Sequence, residues 1–338
     1  MSLSDRRPRV AVLLLSLATF LTACSAAGSS PSVAPIDAPG SSTAVTSASA
    51  SPTPAFPVTL TDDEGTSVGL AAEPRKIVSL TPATTEILFA LGAGDRILAT
   101  DDGSDYPDEA VGLPDVATFA SVDVEKVVAL EPDLVIAGGL GFTPVDAITR
   151  LRDLDIPVLV VYASSVEGVF HDIELLGSAT GRGAEASTLT QRMRIDMDAT
   201  RRAVAGQSPK PRVLYDVGYD DTTGAIYAPA EDSFLAEMVT AAGGDVITTG
   251  DPNTYEMSLE TLIERDPQLI VLGTNPFYSP TPESVAERRG WDALTAVRDG
   301  NIRPVRDIEI ARPGPRLPIG LRSLAKAIWP DVALPPAG

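Results

Sequence analysis

Hydrophobic positions divide the chain into three regimes. Residues 10–21 form an apolar run without a charge, preceded by Arg6, Arg7 and Arg9. Residues 25–55 show no hydrophobic period; Ser, Ala, Pro and Thr dominate and Asp37 is the only charge. Such a stretch buries too little surface to fold and predicts a flexible tether. From Phe56 onward, short β-branched runs alternate with stretches of helical period. Residues 58–60 and 67–70 flank Asp62-Asp63-Glu64-Gly65 and predict a hairpin. Residues 76–80 predict a strand and 84–91 a helix with Ile87, Leu88 and Leu91 on one face, capped by Thr81 with Pro82 at its first position. Further strand-like runs fall at 96–100, 134–137, 158–162, 213–217, 269–272 and 302–305, with helices between them. This alternation predicts an α/β fold built on parallel sheets.

One element breaks the rhythm. Residues 184–205 contain neither Gly nor Pro and place Leu189, Met193, Ile195, Met197 and Val204 at helical spacing. They read as a single helix roughly 30 Å long, a strut between two α/β halves. The halves echo each other. The stretch 123–138, from Asp123 through Glu125, Pro132 and Leu134 to Gly138, recurs 135 residues later as 258–273, from Ser258 through Glu260, Pro267 and Leu269 to Gly273. Each copy reads as a cap, a short helix, a proline break, a buried strand and a glycine. Glu125 and Glu260 hold the second helical position, where a carboxylate offsets the helix dipole for about 0.3–1 kcal/mol. Neither belongs to a capping box, because Lys126 and Thr261 stand where the acid would be needed.

Composition narrows the chemistry. With 26 basic and 46 acidic residues the formal net charge is −20, which disfavours nucleic acid and anionic lipid as binding surfaces. His171 is the only histidine, so a zinc or manganese cage with two imidazoles is excluded and a Ser-His-Asp triad would have to spend it. It reads as a solvated helix residue. No G-x-S-x-G elbow is present, and the pairs Asp101-Asp102 and Asp220-Asp221 read as solvated acids, so an enzyme is not expected. The only cysteine, Cys24, ends Leu21-Thr22-Ala23-Cys24 directly after the apolar run. The run is too short to span a bilayer and has the layout of a secretory signal. With cysteine at the cut it resembles the lipobox of bacterial lipoproteins. That resemblance implies cleavage before Cys24, a lipid on its sulfur and display outside the cytoplasm. Loss of Asp5, Arg6, Arg7 and Arg9 would leave 23 basic (26 less three) and 45 acidic (46 less one) residues, a net charge near −22.

Residues 75–95, from Arg75-Lys76-Ile77-Val78-Ser79-Leu80-Thr81-Pro82 to Gly94-Asp95, resemble the opening of bacterial solute-binding proteins for ferric siderophores, haem and cobalamin. Asp105-Tyr106-Pro107, both echo segments, Asp232-Ser233-Phe234-Leu235 and Arg312-Pro313-Gly314-Pro315-Arg316 continue the resemblance in order across about residues 57–331. It implies two Rossmann-like lobes joined by one long backbone helix, a ligand in the cleft between them, and a surface glutamate on each lobe that docks on an ABC permease. Those glutamates fall on Glu125 and Glu260, with Glu86 a weaker competitor. The expected organisation is a signal peptide at 1–23, lipidated Cys24 with the tether at 24–55, an N-terminal lobe at 56–182, the connecting helix at 183–206 and a C-terminal lobe at 207–338. Ligands in open α/β sheets bind beyond the carboxyl ends of the strands. The loops expected there carry Thr81, Pro82, Asp105, Tyr106, Phe119, Phe142, Tyr219, Tyr255, Asn275, Phe277, Tyr278, Arg312 and Arg316. Aromatic faces suit a large flat or greasy chelate and arginines suit its carboxylate or phosphate groups. Lobe-core packing is the alternative for each aromatic, and surface ion pairing for the two arginines. The cobalamin pattern often has cleft tryptophans, whereas Trp291 and Trp329 stand in helical contexts. A ferric siderophore is therefore the first expectation, cobalamin the second and Tyr-ligated haem the third. The metal chelate is the transported ligand, so no resident cofactor is expected. The chain is expected to act as a monomer with a stiff hinge, delivering its ligand to permease subunits, with ligand sensing as an alternative.

Overall fold

A hairpin comes first: β1 (Val58–Thr61) pairs antiparallel with β2 (Ser67–Leu70). Asp62 closes its turn by accepting the N–H groups of Glu64 and Thr66. This computed structural model describes residues 56–139, 141–275 and 278–335. Cys24, the leader and the tether therefore lie outside the described residues, as does Phe277.

After the hairpin come β3 (Ile77–Ser79), β4 (Ile97–Asp101), β5 (Asp115–Thr118), β6 (Ser121–Val122), β7 (Leu134–Gly138) and β8 (Val158–Val161). They form one sheet in the order β6-β5-β4-β3-β7-β8, parallel except for β6. Its helices are α1 (Pro82–Ala90), α2 (Val124–Ala129), α3 (Val145–Asp153) and α4 (Val166–Thr180). Every residue of β7 and β8 is buried, as continuous apolar strands covered on both faces should be. Then α5 (Gly183–Val204) runs for 22 residues. Its buried side chains, Ala186, Thr190, Met193, Met197, Thr200 and Val204, recur at alternating steps of four and three, one stripe of an amphipathic helix.

The second lobe contains β9 (Arg212–Asp216), β10 (Gly218–Tyr219), β11 (Ile226–Tyr227), α6 (Phe234–Ala241), β12 (Asp245–Ile247), β13 (Glu256–Met257), α7 (Leu259–Arg265), β14 (Leu269–Thr274), α8 (Pro282–Ala286), α9 (Thr295–Arg298), β15 (Ile302–Arg306), α10 (Ile308–Ala311) and α11 (Leu317–Ile328). Its parallel sheet has the order β12-β9-β14-β15, the same permutation as β4-β3-β7-β8 in the first lobe. A separate small antiparallel sheet has the order β10-β11-β13. The fold is thus two Rossmann-like α/β lobes joined by one long helix.

The echo runs deeper than its apolar positions. Asp123 and Ser258 both cap their helices by accepting an N–H three residues on. Each helix is followed by a non-glycine residue at positive φ directly before the proline, Glu131 at 48° and Asp266 at 41°. Next, Asp133 accepts the N–H groups of Arg75 and Lys76, and its counterpart Gln268 accepts that of Arg212. In each lobe a side chain at the start of the third core strand thereby fixes the start of the first.

The lobes share a core. One apolar cluster runs from Ile87 and Leu176 through Met193 and Met197 to Leu321 and Leu324. The outer face of each sheet has a smaller cluster of its own. Separating the lobes would expose the shared cluster, which makes the connection stiff.

Candidate functional site

The carboxyl ends of β3, β4, β5, β7 and β8 face those of the second lobe across a cavity of about 850 Å³. From the first lobe its wall takes Thr81 and Pro82 at the start of α1, then Phe119, Phe142 and Tyr162. The second lobe supplies Val217, Phe234, Leu235, Tyr255 and Arg312. Thr81 sits where it does because its hydroxyl caps α1, accepting the Thr84 N–H at 3.4 Å. Gly138 lets β7 end against that cap: a Cβ there would lie 2.7 Å from Thr81 Cγ2 and 2.9 Å from Phe142 Cβ. Phe119, Phe142 and Tyr162 form a row, with ring centroids 6.1 Å and 5.9 Å apart. Phe119 is 75 % exposed and so presents an apolar face to a flat ligand.

The lobes are pinned by charge beside this cavity. Glu86, on α1, is only 2 % exposed at its side chain and carries two arginines from the other lobe. Arg316 grips it bidentately at 2.9 and 2.6 Å, and Arg312 reaches its Oε1 at 3.1 Å. Arg312 also donates to Asp105 at 2.6 Å and to the Gly103 carbonyl at 3.1 Å, while the Arg316 guanidinium lies 4.3 Å over the Tyr106 ring. A second tie comes from Glu237 on α6, which accepts the Val166 N–H at the start of α4 at 2.8 Å and places a carboxylate at a helix N-terminus.

The remaining charges on the wall are acids: Asp101, Asp102 and Asp172. Burial raises the Asp101 carboxyl, opposed by the hydroxyl of Ser104 and the N–H of Gly103. Asp172, on α4, is 4 % exposed. Burial, reinforced by the charge of and hydrogen bond to Asp63 of the hairpin, pushes its carboxyl up to about 8. Its native form therefore holds a proton that the unfolded chain releases near its ordinary value of 3.8. Stability must fall as pH rises from that value toward 8, because the unfolded state then binds fewer protons. Asp172→Asn keeps a donor toward Asp63 without the ionisation. Melting temperature measured from pH 5 to 9 should decline less steeply in the variant, which should be the more stable at pH 8; parallel curves would refute the assignment.

Among the described residues no group of three or more His, Cys, Asp or Glu side chains is placed to hold a metal ion, and no helix is long and apolar enough to cross a membrane. The sequence profile of the periplasmic binding protein family matches residues 77–307, from the first strand of one parallel sheet to beyond the last strand of the other. The chain belongs to this family. Its relatives include an uncharacterised ABC transporter substrate-binding lipoprotein, YvrC, of Bacillus subtilis, 33 % identical over 82 % of this chain and 88 % of that protein. A cobalamin-binding protein of Halobacterium salinarum is 30 % identical over 80 % of this chain and 74 % of its own length. The periplasmic vitamin B12-binding protein BtuF of Vibrio cholerae shares the fold, with a TM-score of 0.64 at 24 % identity over 75 % of this chain and 96 % of its own. The chain is a substrate-binding protein of an ABC importer.

Within this periplasmic binding protein the expected cleft residues divide. Thr81, Pro82, Phe119, Phe142, Tyr255 and Arg312 line the cavity. Asp105, Tyr106 and Arg316 do not; they belong to the charge pin behind it. Tyr219, Asn275 and Tyr278 are also off the wall and serve the second lobe's own core. Tyr219 packs edge-on against buried Trp291 at 6.1 Å, and Arg288 lies 4.4 Å over the Tyr219 ring. Tyr278 donates to Asp216 and accepts from Arg288, at 3.2 and 2.7 Å. Asn275 bridges to Tyr278 and reaches Asp307. A buried arginine–aspartate pair needs such partners, and it draws these aromatics inward. Conversely, Tyr162, Asp172, Phe234 and Leu235 were not expected on the wall. Tyr162 ends a predicted strand, which was the available signal; Asp172 follows His171, which was read as a solvated helix residue, and offered none. Its neighbour His171 is 63 % exposed, 3.9 Å from Asp63. Glu86 is buried beneath two arginines and cannot dock on a partner. Glu125 and Glu260 are exposed in the first turns of α2 and α7.

Proposed function

We propose that this substrate-binding protein captures a corrinoid of the cobalamin class and delivers it to the permease. The observation that carries this reading is the wall of the cavity: a row of aromatic faces with three acids and one arginine that is already paired. A large flat macrocycle without net negative charge suits that wall. The row of Phe119, Phe142 and Tyr162 offers stacking faces on a wall whose described residues include no tryptophan, and a relative of 30 % identity is named a cobalamin-binding protein. A neutral or cationic ferric hydroxamate siderophore is the second reading, favoured by Asp101 and Asp102 on the wall. Haem fits less well: its carboxylates meet no unpaired arginine, and burial, with Tyr255 adding to it, raises the Tyr162 phenol away from the phenolate that an iron would need.

The same proposal places the protein outside the cytoplasm, held by a lipid on Cys24 and acting as a monomer. Glu125 and Glu260 would each dock on a permease subunit, as the matched positions of their helices support. The test is titration of the folded chain with cyanocobalamin, ferrioxamine B and haemin, read by tryptophan quenching. Binding of cyanocobalamin in preference to both others is expected. Preference for ferrioxamine B selects the siderophore reading, and preference for haemin overturns the charge argument.

A further inference from the structure

Among the described residues Arg312 is the only basic side chain on the wall of the cavity. Its position would suit a ligand carboxylate or phosphate, yet three of its donor contacts are already made: Glu86, Asp105 and the Gly103 carbonyl. With Arg316, the four ionised groups of the pin sum to zero charge. What remains on the wall is Asp101, Asp102 and Asp172. An anionic ligand entering here meets negative potential from Asp101 and Asp102, Asp172 being held protonated, and, to win Arg312, must take it from two carboxylates. Because the site is partly withdrawn from water, such like-charge and desolvation costs exceed those at an open surface.

We propose that Glu86 and Asp105 are specificity-determining residues that silence Arg312, so that the cavity rejects ligands of net negative charge and admits neutral or cationic chelates. Neither acid has to touch the ligand: Glu86 is buried behind the arginines, and Asp105 stands off the wall. Both act through the arginine they hold. The inference deepens the reading of this cavity as the ligand site, and it makes a prediction that a purely structural pin does not. Removing one acid should leave the group with one uncompensated positive charge beside the ligand. Affinity should then change according to ligand charge.

The experiment measures dissociation constants of cyanocobalamin, ferrioxamine B and haemin for the wild type, Glu86→Gln and Asp105→Asn. Asp105 is the safer variant, since it is exposed and its loss leaves Glu86 with both arginines. The ratio of haemin to cyanocobalamin affinity should rise about tenfold in each variant, and adding Arg312→Gln should abolish that rise. If all affinities fall together and the ratio stays constant, the acids are structural only and the proposal is wrong. If the wild type binds none of the three, the ligand reading fails while the inference remains testable. Citrate alone should then raise the melting temperature of Asp105→Asn more than that of the wild type, and an equal response in both overturns it.

Discussion

Replacing Glu125 and Glu260 together by alanine is expected to reduce uptake to background while leaving the dissociation constant of the ligand within about twofold, since neither lies on the cavity wall. The carboxylates occupy equivalent first-turn positions on α2 and α7, one per lobe. Truncating one member of a buried, hydrogen-bonded charge pair in an interface costs about 2–5 kcal/mol. Loss of both should therefore exceed what uptake can tolerate, with each single variant intermediate. The loss inside the protein is small: a carboxylate in a helix first turn contributes about 0.3–1 kcal/mol, and Asp123 and Ser258 keep capping both helices. Uptake in cells carrying the permease, alongside ligand titration of the purified variant, separates the two effects. Normal uptake would remove the docking role, and parallel loss of binding and uptake would mean that the lobes had been disturbed instead.

Much of this architecture was legible because its causes are local. The strands β7, β8 and β14 are buried on both faces, so their apolar runs stand out whatever surrounds them. The connecting helix was visible in its Met193 and Met197 stripe and its freedom from Gly and Pro. The duplication could be read from a cap, a proline and a strand repeated at fixed distance, and the structure adds that even the left-handed residue before the proline is repeated. The cavity was half legible. Rules about strand ends brought in Thr81, Phe119 and Phe142, but they bring in Tyr219 and Tyr278 equally. Only Arg288, packed on Tyr219 and hydrogen-bonded to Tyr278, decides that these two turn inward. No local pattern announces that pairing. The same holds for Glu86, whose arginines lie 226 and 230 residues away in sequence. In its own helix it looks like any solvent-facing acid. Asp172 is the extreme case, a buried carboxyl whose protonation depends on a hairpin that folds over it.

The pin depends on how closely α10 and α11 approach, which leads to the largest expected stability effect. Arg312 and Arg316 lie in the link between these helices, and Gly320 is where α11 touches α10. A Cβ at Gly320 would lie 2.1 Å from the Glu309 carbonyl oxygen, 2.7 Å from its carbon and 3.1 Å from Ile310 Cα. All three neighbours are backbone, so no side chain can swing aside, and relief requires α10 to move away from α11. Overpacking of this kind costs about 3 kcal/mol, which in a body of this size should lower the melting temperature by roughly 6–12 °C. Gly320→Val should show the full effect and Gly320→Ala much of it. The displacement would also carry Arg312 away from Asp105, so in whatever fraction remains folded the discrimination between haemin and cyanocobalamin should weaken. A melting temperature within about 2 °C of wild type for Gly320→Val would show that α10 yields freely. The two arginines would then be held by Glu86 and not by the packing of the helices on either side of them.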